Sequence, residues 1–139
     1  MADRHQPLTS EHVKHVFKGL EEGKGADFLQ YVSETVDWTV KGTHPLAGRY
    51  TNRQAFQDGP LKRIAAGLKD PIVMKLTGIL ISGDWAIVEM FANGAVAKAG
   101  WTFDNNYCWL CCFEQGIIVK VRAYLDSAMV ARLIEESEG

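Results

Sequence analysis

The sequence predicts an α+β fold: a strongly curved, mostly antiparallel sheet with N-terminal helices packed on its concave face, forming a cone-shaped α+β barrel, and a C-terminal helix. Three observations lead there. Helical periodicity fills the N-terminal part of the chain. Strand patterns dominate from Ile72 to Leu125. One amphipathic stretch then ends the sequence. Helices first, strands next and a helix last is the order of a sheet covered on one side. The 139 residues are read as a single domain, 1–139.

The elements follow in order. Thr9 or Ser10 caps a first helix, in which Val13, Val16, Phe17 and Leu20 form one apolar stripe. Asp27 caps a shorter helix carrying Phe28, Leu29 and Val32. Val36 to Val40 is a strand by its β-branched content. A shaped loop follows, from Gly42 through His44-Pro45 to Gly48 and Tyr50. Asn52 caps a third helix, interrupted near Gly59-Pro60 because proline breaks the hydrogen-bond ladder. Its inner face carries Leu61, Ile64, Ala65 and Leu68.

After Asp70-Pro71 the period changes. Ile72 to Ile81 and Trp85 to Ala92 are strands around a Ser82-Gly83-Asp84 turn, and Ala95 to Phe103 is a weaker strand. Tyr107 to Phe113 and Ile117 to Leu125 form a hairpin about Glu114-Gln115-Gly116, with Gly116 free to take φ > 0. Asp126-Ser127 opens the last helix, with Met129, Val130, Leu133 and Ile134 inward.

Composition narrows the function classes. A net charge of −2 offers no electrostatic footprint for nucleic acid or membrane surfaces. No apolar run approaches the roughly 20 residues that span a bilayer. The segment from Met1 to Pro7 lacks the apolar core of a signal peptide. A cytoplasmic protein is expected. Cys108 and Cys111 have CxxC spacing, but residues three apart in a strand face opposite ways and lie roughly 10 Å apart, beyond the roughly 7 Å limit of a disulfide. No second CxxC or nearby histidine completes a metal set. The cysteines read as small core hydrophobes, and no metal site is expected.

Two segments, Trp38-Thr-Val-Lys-Gly-Thr-His-Pro-Leu-Ala-Gly48 and Gly116 through Arg122-Ala-Tyr-Leu-Asp126, resemble the SnoaL-like branch of the nuclear-transport-factor-two-like, ketosteroid-isomerase-like superfamily. The element order matches along nearly the whole chain. The resemblance implies the cone and a small-molecule pocket within it. It says less about chemistry, because the fold hosts isomerases, cyclases, epoxide hydrolases, dehydratases and non-catalytic binders. The acids and bases of characterised members are largely missing. The closing-strand acid of SnoaL-type cyclases falls at Ala123. The arginine and aspartate of limonene epoxide hydrolase fall near Met90 and Ala92. The oxyanion-hole acid of ketosteroid isomerase falls at Trp109, and its general base falls near Thr39, two residues from Asp37.

The candidate proton-transfer groups are therefore few. His44 exchanges protons near neutral pH and sits in a loop that would hold it at a pocket mouth. Asp37 alternates with Trp38, so only one of them faces the cavity. Tyr107 shares a face with Trp109 and offers a hydrogen bond to a carbonyl or developing oxyanion. Trp38, Tyr50, Phe56, Met90, Trp109, Val121 and Ala123 are expected to shape the pocket. Glu89, facing opposite to Met90, Arg122 and Asp126 are secondary candidates, with Asp126 also explained as a helix cap.

These residues point to a small enzyme needing no cofactor. It would isomerise, cyclise or dehydrate a polyketide-, terpenoid- or steroid-like molecule by proton transfer. The alternatives are a non-catalytic binder of hydrophobic molecules and a dimeric interaction module. A homodimer is expected in each case, because Ile117 to Leu125 is apolar on both faces.

Overall fold

The computed structural model describes residues 7–139, so the reading of the first six residues lies outside the described residues. Helix α1 spans Ser10–Glu21, and Thr9 caps it by accepting the His12 backbone N–H. All four stripe residues, Val13, Val16, Phe17 and Leu20, are buried. Helix α2, Gly25–Leu29, begins three residues earlier than expected, with Lys24 and not Asp27 at the cap position. Val32 belongs to the next element. Strand β1 runs Val32–Val40, four residues longer at its start than its β-branched core suggests.

The shaped loop contains a short strand, β2 (Gly48–Tyr50), paired antiparallel with β1. The third helix is one helical path in three parts: α3 (Arg53–Phe56), a π-helical turn (Gln57–Leu61) and α4 (Lys62–Gly67). Pro60 lies inside the wide turn. Instead of ending the helix, it is accommodated by a turn that takes one more residue than an α-turn. Leu68 stands outside the helix and is buried in the core.

Strand β3 is Met74–Ser82, displaced from the expected Ile72–Ile81, and β4 is Trp85–Ala92. Ala95 to Phe103 is not a strand. It forms two isolated bridges, Val96 with Thr102 and Ala97 with Leu68, and folds back as a loop that buries Phe103. Strands β5 (Asn106–Glu114) and β6 (Ile117–Leu125) make the expected hairpin. Its turn puts Gln115 at φ 52° as well as Gly116 at 81°. Helix α5 is Ser127–Glu138, and the Asp126 carboxylate accepts the N–H groups of Ala128 and Met129.

The six strands form one sheet in the order β2-β1-β6-β5-β4-β3. Among the described residues only the β1–β6 pair is parallel. The register puts Val40, Ala123, Trp109 and Val88 in one row on the inner face, and Trp38, Val121, Cys111 and Ala86 in the next. All eight are buried. Asp37, Lys120, Cys112 and Trp85 form a row on the outer face, as do Thr39, Arg122, Leu110, Ile87 and Leu80. Alternation across the sheet thus decides between Asp37 and Trp38: the indole goes in and the carboxylate goes out. Each large side chain buried on the inner face contributes roughly 1.5–3 kcal/mol to folding. Among the described residues no helix is long and apolar enough to cross a membrane.

Candidate functional site

A cavity of about 230 Å³ lies between the inner sheet face and the helices. It is larger than the roughly 150 Å³ void that admits a benzene-sized guest. Its floor is Trp38, Val40, Tyr107, Trp109 and Ala123, from three adjacent strands. Leu20, Phe28, Leu46, Phe56 and Pro60, from the helices and the loop before β2, complete the wall. The aromatic groups brace one another. Trp38 stacks on Phe56 at 3.7 Å between ring centroids, and meets Trp109 edge to face at 5.1 Å and 82°. Phe28 contacts both indoles, with centroids 6.4 and 6.0 Å away. Such pairs add about 0.5–1.5 kcal/mol each beyond their burial and fix the wall's shape.

Polar atoms in this wall are few. The indole nitrogens of Trp38 and Trp109 are buried and have no hydrogen-bond partner among the described residues. Both are closed off by neighbouring protein, not open to the cavity space. Tyr107 is 6% exposed and lines the cavity. Its hydroxyl also has no partner among the described residues, and burial alone pushes its phenol well above the ordinary value. At neutral pH it remains a protonated donor, not a base. A molecule in the cavity therefore meets apolar carbon on nearly every side and one O–H donor.

The other two proton-transfer candidates lie elsewhere. His44 is buried but does not line the cavity. Its Nε2–H donates to the Lys41 carbonyl at 3.0 Å, and its Nδ1 accepts the Leu46 N–H at 3.2 Å. Both ring nitrogens are occupied in shaping their own loop. Gly42, at φ 122°, permits the tight packing: a Cβ there would run into the Ser127 hydroxyl and the His44 ring. Asp37 is on the outer face and forms a two-point pair with Arg49, at 2.8 and 3.1 Å. That hydrogen bonding holds its carboxyl below the ordinary value. Neither His44 nor Asp37, expected as proton-transfer groups, is among the residues that line the cavity.

Of the expected pocket residues, Trp38, Phe56, Trp109 and Ala123 line the cavity, and three do not. Met90 and Val121 point inward but are packed in the core beyond the cavity. Tyr50 is paired with Trp38 across β1 and β2, yet its hydroxyl donates to the Leu46 carbonyl at 2.8 Å and its ring covers Gly59. The secondary candidates also lie outside the cavity wall. Glu89 is exposed on the outer face, Arg122 lies 4.7 Å over the Trp85 ring there, and Asp126 is a helix cap. Asp126 is further fixed by Asn105, a fully buried side chain that accepts the Asp126 N–H at 2.9 Å.

Much of the wall comes from residues that strand parity never reaches. Phe28, Leu46, Pro60 and Ile64 arrive from helices and a loop. The apolar positions around Pro60 were the available signal, since the interrupted helix carries five of the lining residues, Phe56, Pro60, Leu61, Ile64 and Ala65. Of the cysteines, Cys111 is buried inward while Cys108 and Cys112 face outward, and all three are free.

Comparison with known proteins agrees with this architecture. No model of a known protein family matches the chain. Over 130 residues the chain is 28% identical to the dimerizing cyclase phiC of a fungal species, covering 91% of this chain and 57% of that protein. The dimerizing cyclase tstC of Talaromyces stipitatus matches to the same extent. The chain thus spans little more than half the length of these relatives. Among solved structures, an NTF2-like protein of Burkholderia thailandensis superposes with a TM-score of 0.74 at 18% identity, over 89% of this chain and 95% of that one. A Catenulispora acidiphila protein with a ketosteroid isomerase-like fold, in complex with trimethylamine, gives 0.69 at 16%, over 92% and 95%. TerC, co-crystallized with polyporic acid, gives 0.71 at 15%, over 90% and 96%. The fold is that of the NTF2-like, ketosteroid-isomerase-like proteins.

Proposed function

We propose that this chain, acting as one SnoaL-like unit, binds a hydrophobic small molecule in the cavity and promotes its cyclisation or isomerisation. One observation carries the reading: among the described residues, an apolar wall presents one hydroxyl without a hydrogen-bond partner, that of Tyr107. Rigid aromatic walls restrict a flexible substrate to a reactive conformer, which lowers the entropic part of a ring-closing barrier. Tyr107 donates a hydrogen bond to a carbonyl oxygen as negative charge develops there. The similarity to dimerizing cyclases supports ring-forming chemistry. Proton transfer by His44 or Asp37 is no part of the mechanism, since neither touches the cavity. A non-catalytic carrier is the second reading, favoured by the lack of a carboxylate or imidazole among the lining residues.

The two readings separate in one experiment. Purified protein is incubated with a hydrophobic metabolite extract, and bound and released molecules are followed by mass spectrometry. A cyclase or isomerase converts a bound species into a product of equal mass, and the conversion is lost in Trp109→Ala. A carrier releases what it bound unchanged. Failure to retain any apolar molecule contradicts both.

The outer sheet face supports the proposal of a homodimer. Leu80 is 66% exposed and Tyr124 44% exposed, beside half-buried Trp85, Ile87 and Leu110. Glu89 and Arg122 provide opposite charges on the same face, so two copies related by a twofold axis would present complementary partners. The three free thiols fit a reducing compartment and support a cytoplasmic location.

A further inference from the structure

We infer that ligands enter the cavity through a slot between the Gly23–Gly25 turn and α4, and that Gly25 and Ala65 determine which molecules pass and how far they extend. The inference rests on the cavity being the ligand site proposed above. Exposure sorts the lining residues into a floor and a rim. Trp38, Phe56, Tyr107, Trp109 and Ala123 are buried. Ala65 and Pro71 are exposed, while Gly23, Gly25, Leu61 and Ile64 are partly so. The rim is apolar as far as the surface.

The wide helical turn makes this rim. Phe56 and Ala65 both border the cavity although nine residues separate them. In a regular helix they would lie about 180° apart. The π-helical turn at Gln57–Leu61 absorbs one extra residue and reduces this to about 80°, so one helical path lines the cavity from floor to rim. Across the slot, a Cβ built on Gly25 meets nothing within 4 Å. Gly25 borders the cavity, and a larger side chain there has room to occupy the rim. Ala65, exposed on α4 at the same rim, carries a single methyl group. Two minimal residues keep the slot wide.

This arrangement defines a substrate class. Its carbonyl oxygen is held at depth by Tyr107, its apolar body fills the cavity, and an unbranched tail leaves along Leu61, Ile64 and Pro71. The test is a titration of alkyl phenyl ketones from acetophenone to octanophenone, read by quenching of tryptophan fluorescence. Wild type is expected to gain about fourfold in affinity per added methylene that the rim covers. Gly25→Phe and Ala65→Phe should leave acetophenone binding within about twofold and weaken octanophenone by about tenfold or more. Circular dichroism checks folding, and Gly25→Leu serves where the larger ring is not tolerated. Octanophenone binding equally well to wild type and all variants overturns the slot, and so does a wild-type affinity independent of tail length. Failure of wild type to bind acetophenone overturns the cavity reading itself, and the slot with it.

Discussion

Replacing Tyr107 with phenylalanine should separate stability from function. The residue is 6% exposed, and its hydroxyl forms no hydrogen bond with a described residue while not being sealed off as the two indole nitrogens are. A buried polar group without a partner costs about 1–3 kcal/mol. Because this one borders cavity space, the lower end applies, and its removal should stabilise the fold by up to about 1 kcal/mol. For a chain of this length that raises Tm by about 3–5 °C. Binding should move the other way. Loss of one hydrogen bond to a ligand carbonyl, worth about 0.5–1.5 kcal/mol, weakens acetophenone by about 2- to 12-fold. Ethylbenzene, of similar shape but without the oxygen, should bind both proteins equally. Thermal melts and fluorescence titrations of the two ligands against the two proteins complete a double-mutant cycle. A fall in Tm of several degrees, or equal weakening of both ligands, would refute the assignment of Tyr107 as the free donor in the cavity.

Other expected outcomes follow from the same geometry. His44→Ala removes two backbone-directed hydrogen bonds and should cost about 1–3 kcal/mol in denaturant unfolding, while acetophenone affinity stays unchanged; loss of binding in a folded variant would restore His44 to the site. Asp37, Glu136 and Glu138 have depressed carboxyl pKa values, caused first by hydrogen bonds from Arg49, Trp101 and Arg63 respectively. Their small stabilisation is complete above the unfolded value near 4 and is lost as pH falls through the lower folded values. Melts at varied pH should therefore show an acid limb below about pH 4, which Asp37→Asn reduces only slightly. Leu80→Asp should halve the mass measured by light scattering if the outer face pairs two copies, and an unchanged mass would remove that proposal.

Sequence periodicity was most informative where one period governs one buried face. The α1 stripe, the β5–β6 hairpin and the α5 cap all fall where alternation and capping chemistry put them. The inner position of Trp38 became legible only through the register of β1 against β6, because a nine-residue strand with a shifted pairing leaves its parity open from sequence. His44 misled for a physical reason. A histidine between two glycines suits either a pocket mouth or a loop staple, and only the partners of its two nitrogens distinguish them. The irregular 95–103 segment failed as a strand because it pairs with itself and with Leu68 in place of a neighbouring strand. The helix-derived wall was missed because proline signalled a break, whereas a π-helical turn keeps the helix going and redirects its face.

The central claim is that the space above Ala123 is a real apolar cavity that receives a ligand. Ala123→Leu tests it most directly. In a packed core an alanine-to-leucine change typically costs about 1–3 kcal/mol. Here the added carbons have the cavity to occupy. The account predicts unchanged or higher unfolding free energy together with about tenfold or greater loss of acetophenone affinity. A loss of about 2 kcal/mol in stability with acetophenone binding intact would contradict it.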